Sequence, residues 1–191
     1  MAKKKSGKSE WIDWLKALLI AAIIAIIVRT FIFTPIVVDG PSMQPNLQDG
    51  DHMLVNKLNY KLNEPERFDI VVFHATEQKD YIKRVIGLPG ETVHIQNDIL
   101  YIDGKAVAEP FLAEQKAMLQ EGQKYTQDFS IEQLPGDDTV VPDDHILVLG
   151  DNRNDSTDSR SFDIGFISYD QLVGNASVIY WPLDRIGFVD E

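Results

Sequence analysis

The feature that most constrains how this chain can fold is an apolar segment close to its N-terminus. From Trp14 to Phe33 the only charged side chains are Lys16 and Arg29, and each lies near one end of the segment. A helix of this length, rising about 1.5 Å per residue, is roughly 30 Å long and matches the hydrocarbon core of a bilayer. Long charged side chains near the ends of such a helix can extend to the headgroups. The segment therefore predicts a transmembrane helix.

Two other structures share an apolar composition of this kind. A cleaved signal peptide also has a basic start and an apolar middle, but a small-x-small cleavage site should follow promptly. After Val28 the sequence continues to Pro35 as Arg-Thr-Phe-Ile-Phe-Thr-Pro, which offers no convincing site. The other alternative, a buried core helix, would also be apolar on all its sides. We favour an uncleaved membrane anchor over residues 11–33.

Charge is divided unequally on the two sides of this anchor. The formal net charge is −12, of which residues 1–33 carry +4 and residues 34–191 carry −16. The lysines of residues 1–33 precede the anchor or lie at its start, whereas residues 30–56 contain no Lys or Arg. The positive-inside rule then places residues 1–10, a basic tail, in the cytoplasm and residues 34–191 outside the membrane. Arg29 is the single charge that argues for the opposite orientation.

Composition excludes several classes of function. An acidic domain argues against nucleic-acid binding, because such proteins hold phosphates with a basic surface. The chain has no cysteine, which removes thiolate catalysis, cysteine-based metal sites and disulfides together.

Past Pro35 the pattern changes to short β-branched runs separated by turn residues. Runs of this length and spacing predict a mainly β domain, an antiparallel sandwich or barrel-like body. Residues of about 104–140 interrupt the pattern, and we predict an inserted cap there with a short helix over 111–121. Turns are expected at 88–90, 103–104 and 134–136. The predicted strands are 36–38, 52–55, 69–73, 81–86, 92–95, 99–102, 145–149 and 176–181.

One serine lies on a constrained turn directly after a predicted strand. Ser42 stands between Pro41 and Pro45, whose φ angles are fixed, and follows Gly40, whose backbone is free. Such turns are also common without catalysis, and a nucleophilic serine needs a base. Histidine is the usual base, but every histidine lies in a predicted strand or directly after one, without an orienting aspartate in a recognisable pattern. These histidines are His52, His74, His94 and His145.

Lysine can replace histidine as the base when burial lowers its pKa, because desolvation disfavours the ammonium form. Lys83 lies between apolar neighbours in the predicted strand 81–86 and could point into a dry interior. Strict alternation along the strand would instead place its side chain in solvent. From the local pattern alone, the solvent-facing orientation is the favoured one.

Residues 150–160 are rich in oxygen ligands and superficially resemble a calcium loop. The segment lacks the glycine and the closing glutamate of an EF-hand, and Arg153 and Arg160 bring positive charge into it. A network of carboxylates and arginines that holds the loop rigid is the favoured alternative. We expect no metal and no cofactor.

Three segments, taken in order, resemble those of the bacterial type I signal peptidases, the membrane-bound serine proteases that remove signal peptides from exported proteins. Residues 40–47 are similar to the nucleophile box of that family, residues 81–91 to its lysine box and residues 150–160 to its third box. The similarity spans about residues 14–181, and the single N-terminal anchor resembles that of the Gram-positive branch.

The resemblance implies a role for each matching residue. Ser42 would be the nucleophile, with its backbone N–H as one oxyanion donor, and Lys83 the general base. Ser156 would orient the Lys83 amine by a hydrogen bond, while Asp158 and Arg160 would pair and brace their loop. The remaining supporting residues would be Asp151, Asn152 and Arg153.

This sequence departs from the family at three places near those boxes. Gly40 stands where some members have a serine whose hydroxyl is a second oxyanion donor. Asn46 stands where threonine is frequent, and residues 161–165 are longer than the commoner ending of the third box. None of these changes removes Ser42 or Lys83.

The resemblance also implies the substrate and partners. Exported preproteins with small residues, typically alanine, at the −1 and −3 positions would bind extended along a strand edge. Membrane lipid would be a second partner, with residues 34–38 and 162–167 resting against it. Two rivals stay open at this point: a non-catalytic membrane-anchored β-domain for binding or assembly, and a Ser–Lys protease of the self-cleaving repressor type.

Overall fold

A computed structural model describes residues 7–134 and 138–189. The chain begins with helix α1, Gly7–Ile27, which continues as one turn of π-helix, Val28–Ile32. Within them, Trp11–Ile32 is long and apolar enough to cross a membrane, and its apolar window is not buried against the rest of the protein. The predicted basic tail lies outside the described residues up to residue 6. The helical part ends one residue before the predicted limit, because Phe33 already belongs to a strand.

Twelve strands and two short helices follow α1 in the described part of the chain. The helices are α2, Asn59–Leu62, and α3, Ala113–Ala117. The strands are β1, Phe33–Val37; β2, His52–Asn56; β3, Ile70–Thr76; β4, Lys79–Gly87; β5, Val93–Gln96; β6, Ile99–Ile102; β7, Lys105–Val107; β8, Phe129–Ser130; β9, His145–Leu149; β10, Ile167–Ser168; β11, Leu172–Trp181; and β12, Gly187–Phe188.

The larger sheet has the strand order β1-β2-β11-β3-β4-β9-β10, with β12 paired to β11. Its described pairings are all antiparallel, which confirms the predicted class of fold. Alternation decides which side chains face inward: in β2, Met53 and Val55 are buried while their neighbours are partly exposed. Both residues pack into the core beneath the sheet.

The second sheet has the order β7-β6-β5-β8 and is also antiparallel. It begins at Val93, earlier than the inserted cap expected over 104–140. Val93 and Leu100 share one buried core with Leu147 and Leu149 of the larger sheet, so the two sheets pack together. The second sheet is therefore part of the body of the domain, and the inserted cap over 104–140 stays a prediction.

The helix predicted over 111–121 is shorter in the structure. A turn of 3₁₀-helix, Pro110–Leu112, leads into α3, and the helix ends at Ala117. Leu112 is buried, but Met118, directly after the helix, is exposed and contributes no apolar packing that would extend it. The turn predicted at 134–136 falls mostly outside the described residues.

The side chains of residues 34–38 and 162–167, which were expected to rest against lipid, differ in their exposure. Phe162 is 73% exposed and Val37 is 55% exposed. Val38 is instead buried in a core cluster, and Phe166 packs against the core between the two sheets. For Val38 and Phe166 the expectation was wrong, because the core takes up their apolar area.

Candidate active site

Ser42 lies on a turn that two buried side chains hold against the core. Met43 and Leu47 are each 1% exposed, so the short turn between them and β1 leaves Ser42 half-buried at the surface. The N–H of Val38 donates to the carbonyl of Asp51 at 2.8 Å, which closes the base of the loop. Gly40 has a φ of +95°, a conformation that favours glycine. These contacts fix the direction in which the Ser42 hydroxyl points.

Lys83 reaches that hydroxyl from the neighbouring strand β4. Its Nζ donates to Ser42 Oγ at 2.8 Å and to the carbonyl of Ile82 at 2.8 Å. Lys83 is 4% exposed, so its side chain lies in the interior rather than on the solvent face. The inward orientation arises because β4 is covered on both faces from Lys83 to Gly87, where all residues are buried. The two residues that the sequence singled out are therefore in direct contact.

Burial lowers the pKa of Lys83 from 10.5 to about 8, because desolvation penalises the ammonium form. The negative charges of Asp158 and Asp151 act in the opposite sense and keep the pKa from falling further. An amine with a pKa near 8 is neutral in roughly a tenth of molecules at pH 7 and in most molecules above pH 9. The site can therefore hold a lysine that accepts a proton.

Residues 150–160 form the network of carboxylates and arginines predicted for them. Asp151 is fully buried and accepts two hydrogen bonds of 2.8 Å from Arg84, which also donates to the carbonyl of Phe68. Asp158 accepts from Arg160 at 2.7 and 2.8 Å. Burial alone would raise the pKa of Asp158, but the bonds and charge of Arg160 outweigh it and lower that pKa. Both carboxylates are thus held by arginines in the place where the calcium alternative would put a cation.

The backbone of residues 150–160 also contacts the turn that carries Ser42, which we call the nucleophile turn after the box it matches. The N–H of Asn152 donates to the carbonyl of Ser42 at 3.0 Å, and its side-chain amide donates to the carbonyl of Pro41 at 3.3 Å. Gly150 comes so close that an added Cβ would lie 2.5 Å from the carbonyl oxygen of Ser42 and 2.2 Å from Ser156 Oγ. Only a residue without a side chain fits between the loop and the turn.

Ser156 differs from its expected placement. Its hydroxyl is buried and makes no hydrogen bond to the described residues. The hydroxyl lies close enough to Asp158 to favour the charged carboxylate, although the geometry between them is not that of a hydrogen bond. Lys83 donates instead to Ser42 and Ile82. The expected bond from Ser156 to Lys83 is therefore not among the contacts of either side chain, because Ser156 packs against Gly150.

The four histidines lie apart from Ser42 and have structural contacts in the described part of the chain. His52 packs edge-on against Tyr180, and His94 stacks on Tyr101. His74 pairs with Asp80, and His145 contacts the backbone of Asp143. These contacts favour a structural role for the four histidines over a role as the base of Ser42.

Several residues of this neighbourhood were not singled out from the sequence. Asn46 donates from its side chain to Asp151 at 2.7 Å, so it links the nucleophile turn to the buried ion pair. Glu109 and Thr126, from the cap, contact Arg153 at 2.5 and 3.3 Å. Asn46 was noticed only as a departure from the family, and Glu109 only as the start of a helix. No local signal marks contacts between segments so far apart in the chain.

A cleft of about 620 Å³ opens onto Ser42 and Lys83. Ile36 and Val38 line one side and Tyr81 and Ile82 the other. Strand β9 pairs with β4 only from Arg84 onward, so the first half of β4 presents an open edge. The cleft can take an extended chain with small apolar side chains near the serine.

Comparisons with known proteins agree with this geometry. The family described as signal peptidase, peptidase S26, matches residues 11–181. Signal peptidase I of Bacillus caldolyticus is 44% identical over 98% of this chain and 99% of that protein. Signal peptidase IB of Staphylococcus aureus strain MRSA252 is 41% identical over 95% of each chain.

Among solved structures, the crystal structure of a signal peptidase I from Enterococcus faecalis V583 matches with a TM-score of 0.54 and 42% identity. That match covers 59% of this chain and 97% of the other. Identity of this order over almost the whole length sets aside the binding-protein and repressor alternatives. The chain belongs to the signal peptidases of family S26, and its activity is that of a type I signal peptidase, a serine peptidase.

Proposed function

We propose that Ser42 is the nucleophile of this signal peptidase and that Lys83 is its general base. The observation that carries the proposal is the 2.8 Å contact between Lys83 Nζ and Ser42 Oγ at the floor of an open cleft. Proton transfer needs a heavy-atom separation of this size, and it needs a base that is neutral near the working pH. The depressed pKa of Lys83 meets the second requirement.

The reaction then has two halves. Neutral Lys83 takes the proton of the Ser42 hydroxyl as Oγ forms a bond to the scissile carbonyl carbon. The resulting ammonium returns that proton to the leaving nitrogen as the C–N bond breaks, which leaves an ester on Ser42. In the second half Lys83 deprotonates a water molecule, the water attacks the ester, and the proton returns to Ser42.

The backbone N–H of Ser42 is the proposed donor to the oxyanion. Among the described residues this N–H has no hydrogen-bond acceptor, whereas the N–H of Gly40 is already bonded to Asp49 at 2.8 Å. A single such donor contributes about 2.7–4 kcal/mol to transition-state stabilisation in other serine proteases. Gly40 has no side chain to donate a second hydrogen bond, so any second donor comes from another residue.

The residues of the third box support these two groups. Asn152 holds the backbone of the nucleophile turn, and Asp151 is held by Arg84 beside Lys83. Asp158 and Arg160 brace the loop, and Arg153 lies beneath it. Ser156 keeps its proposed role of orienting the Lys83 amine, which requires a change of rotamer when substrate binds.

The proposed substrates are exported preproteins bound with an extended chain in the cleft. The open edge of β4 offers backbone groups for strand pairing, and pockets between Ile36 and Ile82 suit small side chains. These features favour alanine at the −1 and −3 positions. Membrane lipid is the second proposed partner, with exposed Phe162 facing it.

The proposed topology follows from the charges on either side of α1. Residues 1–10 form a cytoplasmic tail, residues 11–33 the anchor and residues 34–191 an extracytoplasmic catalytic domain with a cap. The positive-inside rule supports this orientation, and an outward-facing domain meets cleavage sites as they leave the membrane. Anchor and substrate are then held in two dimensions, which raises their effective concentration.

The test is turnover of a precursor by full-length enzyme in lipid vesicles. Ser42→Ala and Lys83→Ala should each lose at least about 1,000-fold in kcat, as removal of a nucleophile or base does elsewhere. Ser177→Ala and Lys105→Ala are matched controls on β11 and β7, and they should behave as wild type. Turnover by either active-site variant at the rate of its control would contradict the proposal.

A further inference from the structure

We propose that Glu109, which follows β7 in the cap, is a positioning residue for the peptidase reaction. Glu109 holds Arg153, and Arg153 in turn holds the backbone of Gly150 against the nucleophile turn. This inference rests on the function proposed for Ser42 and Lys83. It assigns the cap a part in catalysis although none of its described residues lines the cleft.

The pair of Glu109 and Arg153 is buried on both sides. Oε1 of Glu109 accepts from Nη2 of Arg153 at 2.5 Å, and the side chains are 1% and 0% exposed. The other carboxylate oxygen accepts from Lys116 of α3 at 3.0 Å, and Lys116 also donates to the carbonyl of Asp98. Glu109 is therefore fixed to its own subdomain by one oxygen and to the third-box loop by the other.

Arg153 connects Glu109 to the backbone of the third-box loop, residues 150–160. Its Nε donates to the carbonyl of Gly150 at 3.0 Å, and its own carbonyl accepts from Arg160 at 2.8 Å. Gly150 is the residue that leaves no space for a Cβ between the loop and Ser42. Displacing Arg153 therefore removes one of the restraints on the backbone segment that packs against the carbonyl of Ser42.

A second contact from the cap reaches the same loop independently. The Tyr125 hydroxyl donates to the carbonyl of Asp151 at 3.0 Å. Tyr125 and Thr126 are themselves held by Asp98, whose carboxylate accepts from both backbone N–H groups at 2.8 and 2.6 Å. Two separate segments of the cap thus converge on residues 150–153, which a fortuitous surface contact would not do.

Removing the charge of Glu109 leaves the guanidinium of Arg153 buried without its carboxylate. A buried unpaired charge is strongly unfavourable, so the guanidinium moves toward water and gives up its bond to Gly150. Displacement of a reacting group by about 1 Å costs about 100-fold in rate. The apolar walls of the cleft come from β1 and β4, which Glu109 does not touch, so substrate binding should change little.

The experiment measures kcat and KM of full-length Glu109→Gln in vesicles, with a precursor peptide that has alanine at −1 and −3. We expect kcat to fall at least about tenfold with KM within about twofold of wild type. Glu114→Gln is the matched control, since Glu114 is exposed on α3.

A double variant separates positioning from a general loss of stability. If Glu109 acts through Arg153, then Glu109→Gln adds no further loss of kcat to Arg153→Met, whereas independent effects multiply. Tyr125→Phe removes one hydroxyl and keeps the ring, so it tests the same restraint if Glu109→Gln does not fold. Tyr125→Phe should lower kcat, as Glu109→Gln does.

Three results would overturn the inference: a Glu109→Gln enzyme with wild-type kcat, losses that multiply in the double variant, or an unchanged kcat for Tyr125→Phe. The active-site variants are run beside them to keep the two proposals apart. If Ser42→Ala is inactive and Glu109→Gln has the wild-type kcat, only the positioning role is rejected. Active Ser42→Ala rejects the proposed function itself.

Discussion

Lys83 shows, at the scale of a single residue, how the fold prepares a group for chemistry at a cost in stability. The same desolvation that frees its amine to accept a proton makes the ammonium form unfavourable in the folded chain. Sequence alternation could not decide this orientation, because the burial of Lys83 comes from segments distant in the chain that cover β4 on both faces. The local pattern made Lys83 a candidate base, but only the resemblance to a family favoured it, whereas Ser42 was already marked by its prolines.

The first consequence is a pH profile. The base must be neutral to act, so kcat/KM should rise with pH and reach half of its plateau near pH 8, the pKa of Lys83. The profile is measured with the full-length enzyme in vesicles between pH 6 and 10. A rate independent of pH across that range would contradict the assignment of Lys83 as the base.

The second consequence concerns stability. The pKa of Lys83 is 10.5 when unfolded and about 8 when folded. The unfolded state therefore binds more protons between these values, so stability rises with pH through that window and the full penalty applies below it. At about 1.36 kcal/mol per pKa unit, this penalty is on the order of 3 kcal/mol at pH 7.

Lys83→Met removes that penalty and keeps the apolar stem. It should abolish cleavage and raise the free energy of unfolding at pH 7 by on the order of 1–3 kcal/mol, since the carbonyl of Ile82 loses a donor. Thermal unfolding in detergent measures the gain. The control is the same comparison of Lys83→Met with wild type at pH 10. Most of the gain in the free energy of unfolding should disappear at that pH, because the penalty on Lys83 is then small.

At the scale of elements, the site depends on how the segments that follow β1 and β9 meet Lys83 within β4. The long strands were predicted well because runs such as residues 52–55 and 145–149 alternate or are continuously apolar. β8, β10 and β12 have two residues each and β7 has three, too few to show any period. Their existence is decided by pairing with distant strands.

The close approach of Gly150 to the nucleophile turn gives a prediction at this scale. In Gly150→Ala the new Cβ would lie 2.5 Å from the carbonyl of Ser42, so the loop and the turn must move apart. We expect kcat to fall at least about tenfold and the free energy of unfolding to fall by about 1–3 kcal/mol.

Gly187→Ala on β12 is the control for that substitution. A Cβ there meets nothing within 4 Å, so activity and stability should stay near wild type. Both variants are assayed for turnover and thermal unfolding in the same vesicles or detergent. Full activity in Gly150→Ala would mean that the loop does not constrain Ser42.

At the scale of the whole molecule, the anchor divides a basic tail from an acidic domain, and this division sets the proposed topology. Charge and hydropathy along the chain were enough to predict both the anchor and the β class of the domain. They could not predict that Glu109 packs on the loop of residues 150–160. A buried ion pair such as that of Glu109 and Arg153 joins two distant segments, and neither segment carries a sequence pattern that points to the other.

The absence of cysteine makes the topology directly measurable. In intact cells, a membrane-impermeant maleimide should label Glu121→Cys in the cap but should label Ser9→Cys only after the membrane is opened. Each variant has a single thiol, so label recovered on the purified protein reports that one position. The reverse labelling pattern would invert the proposed orientation.

The helix passes into the catalytic domain without a linker: the π-helical turn ends at Ile32 and β1 begins at Phe33. From Phe33 to Ser42 the chain can extend at most about 30 Å, and much of that length is folded back into β1 and its turn. We therefore expect Ser42 to lie within a limited height above the bilayer. Precursors should then be selected by the height of their cleavage site above the membrane as well as by its side chains.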